Sequence, residues 1–197
     1  MAAVIGLVML ILVTWGRWDY FLVCLIYGLA VITLFTLSTL YHAFKQRDDG
    51  TGIWRKLDHA AIYIMIAGTY TPLVYIYIEG AWCWSIIVIQ WVLVFLGVLF
   101  KFFFTRAPRI LSTMLYLLMG WMAVILLQKL WLVLSPISFA LLLSGGIAFS
   151  IGALIYAFKS PNPLPGVFGY HEIFHFFVLL GGVLHFFVVY LAVTQPV

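Results

Sequence analysis

The sequence predicts an all-α integral membrane protein: a seven-transmembrane helix bundle in a single domain, residues 1–197, with its N-terminus cytoplasmic and its C-terminus outside. Three observations predict it. Of the 197 residues, 66% are hydrophobic and 8% are charged, and the mean hydropathy is +1.18, a composition that would leave large apolar patches on a soluble domain. The apolar stretches break at short polar punctuation into segments of about 20 residues, the length a helix rising about 1.5 Å per residue needs to cross a core of about 30 Å. Lys and Arg gather in alternate loops, as they do when short loops stay in the cytoplasm.

Taken in order, the spans cover roughly residues 1–16, 20–44, 57–78, 82–104, 110–129, 136–158 and 170–193. The first is short. It has no basic lead-in and no small-x-small cleavage site ahead of Arg17 and Trp18, so it reads as a retained helix rather than a signal peptide. Cys24 and Cys83 fall near the outer ends of their spans and read as small core residues, not as a disulfide or a metal pair. Gly145, Gly146 and Gly152 in the sixth span, with Gly181 and Gly182 in the seventh, are placed to permit close helix contact.

Orientation follows from the basic residues. Lys45, Arg47, Arg55 and Lys56 separate the second and third spans, Lys101, Arg106 and Arg109 the fourth and fifth, and Lys159 the sixth and seventh, all on one side. The opposite side offers Arg17 with Asp19, then Glu79, then Lys129. The formal charge of +4 is therefore a topology signal and not a nucleic-acid footprint. A multi-pass protein of the plasma membrane is the localisation expected.

Ionisable groups at membrane depth are expensive unless paired, so each is a functional candidate. His42 lies near the cytoplasmic end of the second span, Asp58 opens the third, and His171 and His175 occupy the first turns of the seventh. All four share one leaflet. Residues four apart on a helix are offset by only about 40°, so His171 and His175 present two imidazoles on one face, and Ser38 lies one turn beneath His42. Three His and a carboxylate make a zinc-type set of N and O ligands, and the absence of thiolate leaves room for water. His59 and His185 read instead as interfacial polar side chains, His185 lying too deep to share the same ion.

The stretch "HEIFH" at 171–175 also has the His-Glu-x-x-His form of zinc proteases. An intramembrane protease would pair it with an Asp-Gly ligand motif on another span. Here Asp49-Gly50 sits in the polar stretch "KQRDDGTG", which reads as a turn, and the local motif by itself leaves the role of Glu172 open.

Three longer segments carry a resemblance: "STLYH" at 38–42, "LDHAAIYIMIAGTYTP" at 57–72 and "HEIFHFFVLLGGVLHFF" at 171–187. They resemble the signature segments of the hemolysin III family, within the progestin and adipoQ receptor group that includes the adiponectin receptors, and more distantly the alkaline ceramidases. The resemblance implies a seven-helix fold and one Zn2+ held by His42, His171 and His175, with Asp58 holding the water at the metal and Glu172 outside the chemistry. It also implies an amphipathic segment ahead of the first span, carrying Glu, Asn and a Thr-His pair, which this sequence does not show. None of the expected ligands lies there.

The expected chemistry is hydrolysis of a lipid amide or ester near the headgroup, with Asp58 taking a proton from water and Ser38 donating to the developing oxyanion or to the ligand shell. Phe174, Phe176 and Phe177 are positioned to line an acyl chain or simply to pack. Two other readings stand beside the enzyme: a membrane-homeostasis protein or sensor in which zinc staples the helices without turnover, and a lesion-forming hemolysin. A chain with no soluble state is physically a poor secreted pore former, and fold analogy separates the three no further.

Overall fold

The structure, a computed structural model, describes residues 1–44, 52–104, 108–164 and 167–195. Among them the regular structure is helical, apart from one isolated bridge between Leu164 and Phe168. The helices are α1 (Ala2–Val13), α2 (Trp18–Phe44), α3 (Ile53–Tyr77), α4 (Gly80–Phe103), α5 (Arg109–Trp121), α6 (Leu127–Val133), α7 (Pro136–Phe158) and α8 (Tyr170–Thr194), with a 3-10 turn, Met122–Leu126, joining α5 to α6.

Among the described residues six helical segments, not seven, are long and apolar enough to cross a membrane: α2, α3, α4, the continuous Arg109–Val133 stretch, α7 and α8. The first expected span is the one that differs. Helix α1 has 12 residues, about 18 Å at 1.5 Å per residue, against a core of about 30 Å. It stops because the Thr14 hydroxyl turns back to the Leu10 carbonyl at 2.7 Å and Gly16 takes a left-handed φ of 85°, which ends the helical path before Arg17. The seven-span arrangement with a cytoplasmic N-terminus requires this segment to cross.

The chain divides into two compact units: Met1–Ala107 with Ala192–Val197, and Pro108–Leu191. In the first, α2 packs on α1 and α3, and α3 on α4. Gly80, with φ 65°, lets the chain reverse directly after Ile78 and Glu79, so α3 and α4 run antiparallel and the start of α3 returns level with the end of α4. Small residues bring the backbones together: a Cβ on Gly68 would run into the Ala30 Cβ, and one on Gly97 would meet the Tyr63 ring at 2.7 Å. Two threonines inside the unit are satisfied within their own helix. Thr69 and Thr71 donate to the carbonyls of Met65 and Ala67 at 2.9 and 2.8 Å, and the Trp91 indole N–H donates to the Thr71 hydroxyl at 3.1 Å, which supports the turns around Pro72 where the helix lacks an N–H. Arg17 donates to the carbonyls of Val13 at 2.9 Å and Val193 at 2.6 Å, closing two helix ends with one guanidinium.

The second unit is built on α5, α7 and α8. Ser135 caps α7 by accepting from the Ser138 N–H at 3.1 Å, with Pro136 in the first turn. Of the five glycines expected at helix contacts, Gly145, Gly152 and Gly181 face a neighbouring helix. A Cβ there would strike the His185 ring, the Phe177 Cβ and the Phe149 ring respectively. Gly146 and Gly182 have open space instead. His185 departs from the interfacial reading: it lies in the middle of α8 and its Nε2–H donates to the Leu142 carbonyl of α7 at 3.1 Å, with the Phe149 ring edge-on at 5.4 Å. Cys24 and Cys83 are buried free thiols, as expected. The outward faces of the spans carry Trp84, Phe95 and Leu132 among other exposed apolar residues, a surface suited to acyl chains.

Candidate metal centre

Each unit contributes one part of the expected ligand set. In the first, α2 carries Ser38 and His42 one turn apart, and α3 carries Asp58. The Phe44 and Trp54 rings stack at 5.4 Å, which places the end of α2 against the start of α3. Asp58, half-buried, accepts a hydrogen bond from the Ser38 hydroxyl and lies within electrostatic reach of His42 and Arg55. The structure therefore brings Ser38, His42 and Asp58 together. It also gives Ser38 a partner that spacing did not: the hydroxyl orients the carboxylate, because a carboxylate can only accept at that oxygen.

In the second unit the Nε2 atoms of His171 and His175 stand 3.1 Å apart, with the rings nearly perpendicular at 87°. Two nitrogens about 2.05 Å from a tetrahedral zinc are separated by about 3.3 Å, so this pair fits a two-nitrogen clasp with little movement. Both rings are half-buried in the first turns of α8.

Two further residues, whose roles here the sequence did not give, shape that turn. Glu172 reaches back over the helix start, its Oε2 accepting the Gly169 N–H at 2.8 Å. This is one half of a capping box, and the Gly-x-x-Glu spacing ahead of the apolar run was its signal. The side chain the protease motif would use as a base is thus a helix cap. Arg109, counted in the sequence as topology, donates at 3.5 Å to both the Tyr156 carbonyl and the Tyr170 hydroxyl. Its guanidinium lies 4.6 Å from the Tyr156 ring centroid, and that ring packs on Phe174 at 4.9 Å. Arg109 so ties the end of α7 to the start of α8. Phe177 packs at Gly152 and Phe176 is 60% exposed, so of the three phenylalanines Phe176 is the one open to lipid. Asp49 and Gly50 lie outside the described residues, and His59 is half-buried in α3.

Known proteins share much of this sequence. The family described as "Haemolysin-III related" matches residues 1–186. The chain is 38% identical over 164 residues to a Bacillus cereus protein named Hemolysin-3, covering 83% of this chain and 72% of the relative. It has the same identity over the same length to a Hemolysin-3 homolog of Bacillus subtilis (strain 168), covering 83% and 74%. No solved structure matches.

Proposed function

The chain belongs to the haemolysin III family, and on that premise we propose that it is a zinc-binding membrane protein that hydrolyses an amide or ester bond of a membrane lipid at the cytoplasmic leaflet. The observation that carries this reading is the Ser38–Asp58 hydrogen bond within reach of His42. A carboxylate inside a span, fixed by a hydroxyl and facing an imidazole, is arranged to hold and move a proton rather than to pack. On this reading His42 of the first unit and the His171–His175 pair of the second would supply the metal's nitrogens, and a set of neutral nitrogens with no thiolate suits a zinc that keeps an open position. When bound, zinc supplies Lewis acidity toward a carbonyl and toward water. Ser38 aims the Asp58 carboxylate, and Asp58 accepts the proton that water gives up. Glu172 keeps its place as a helix cap. The basic ends of the spans face the cytoplasm and the C-terminus lies outside.

The test is elemental analysis of protein purified without chelator, joined to lipid mass spectrometry of membranes with no protein, with the unaltered chain and with His171→Ala. About one zinc per chain is expected, as for a single three-His site, with a product lipid that appears only with the unaltered chain. No zinc sinks the metal reading. Zinc without any product sinks turnover and leaves a metal-stapled homeostasis protein or sensor. The names of the Bacillus relatives support a second reading, membrane lysis, which red-cell leakage induced by reconstituted protein tests.

A further inference from the structure

At the end of the first unit where α2 begins and α3 ends, aromatic rings gather around a carboxylate that the proposed zinc chemistry does not use. The Tyr75 hydroxyl donates a hydrogen bond to the exposed Asp19 carboxylate, which sets the start of α2 against the end of α3. The Tyr75 ring meets the Trp84 ring of α4 at 6.2 Å between centroids and 77° between planes, and Trp84 is 61% exposed. Three helices thus contribute two rings nearly at right angles and one carboxylate. Asp19 and Glu79 lie at this end with Arg17, and neither carboxylate makes an ion pair with a described residue. Arg17 is engaged elsewhere, donating to the carbonyls of Val13 and Val193 and lying 4.9 Å from the Tyr20 ring centroid.

Tryptophans and tyrosines that only mark the membrane boundary need no charge among them. Here the charge is tied to one of the rings. A phenol that donates to a carboxylate gains electron density, and the negative face of an aromatic ring attracts a cation, most strongly where water is partly excluded. Two rings nearly at right angles with an acid beside them match the surroundings that aromatic cages give a quaternary ammonium. The ends of spans are also the depth at which lipid head groups lie, so a lipid brings the cation there. We propose that Asp19, Tyr75 and Trp84 form a binding site for the quaternary ammonium of a zwitterionic phospholipid's choline head group. The site lies at the opposite end of α3 from Asp58 and stands whether or not Asp58 performs hydrolysis.

Native mass spectrometry of the full chain tests it, with phosphatidylcholine and phosphatidylglycerol of the same acyl chains as probes. Trp84→Leu should weaken phosphatidylcholine binding about threefold, the effect of losing one exposed cation–π contact. Asp19→Asn should weaken it by about threefold as well, the effect of losing one exposed ion pair. Phosphatidylglycerol binding should not fall in Asp19→Asn, because removing a negative charge does not weaken an anion. Trp84→Phe keeps a ring face, and Trp131→Leu removes an exposed indole whose ring neighbour is Phe139, so both should hold phosphatidylcholine within about twofold of the unaltered chain. Melting temperatures are measured alongside, and Asp19→Asn decides the outcome if Trp84→Leu is destabilised. Choline chloride that binds as tightly as the phospholipid would uphold the ammonium chemistry and move its source to solution. Phosphatidylcholine held equally by the unaltered chain and Asp19→Asn, or both lipids lost together, overturns the site.

Discussion

Asp58 and Glu172 are two carboxylates, each close to candidate histidines of its own unit, and their partners separate their roles. Asp58 accepts from a serine hydroxyl on a neighbouring helix, whereas Glu172 accepts from a backbone N–H at its own helix start. Asp58→Asn keeps a hydrogen-bond acceptor but loses the base, so it should retain about one zinc per chain while lipid turnover falls by about 100-fold or more. His175→Ala removes a metal nitrogen, so zinc and thermal stability should fall together. If Asp58→Asn loses zinc as completely as His175→Ala, Asp58 is itself a ligand. Glu172→Gln still accepts the Gly169 N–H, so zinc content and turnover should stay within about twofold of the unaltered chain, the cap being preserved. Loss of turnover in that variant, with zinc retained, would return Glu172 to the role of base.

At the scale of the helix, α7 and α8 meet through a glycine and an imidazole. The His185 ring fills the space a Cβ on Gly145 would need while its Nε2–H bonds the Leu142 carbonyl. Gly145→Ala should therefore force the ring aside and destabilise the protein by about 1–3 kcal/mol, the usual effect of overpacking a filled contact. His185→Ala loses the hydrogen bond and the packing but makes room. The double variant should then be more stable than the two single losses added together, because the clash is gone. Melting temperatures of the three variants in one detergent decide this, and strict additivity would mean that the two residues do not share a contact.

For the whole molecule the testable quantity is orientation. If the six candidate spans from α2 onward all cross, the C-terminus returns to the side on which α2 begins, and the basic bias predicts that this side is the exterior. A reporter fused after Val197 should be extracytoplasmic and one inserted near Asp49 cytoplasmic. The reverse pattern would carry the proposed lipid chemistry to the outer leaflet, where the lipid available differs.

The sequence by itself determined the membrane setting and the apolar spans from Trp18 onward to within a few residues, and it named the metal ligands that are proposed. Each of these rests on properties one residue or one helix carries alone: apolar length, the expense of an ionisable group at depth, and the four-residue repeat that puts His171 beside His175. Only tertiary structure decided where the first apolar run stops, at Val13, with a back-bonded hydroxyl and a left-handed glycine just beyond it. It likewise decided that Ser38 serves Asp58, that Glu172 caps α8, and that Arg55, Lys56 and Lys101 sit within helix turns, where the sequence had counted them as loop charges. A partner on another helix is set by register and crossing, and those come from how small residues such as Gly68 and Gly97 let backbones approach, a property of pairs that no single helix encodes.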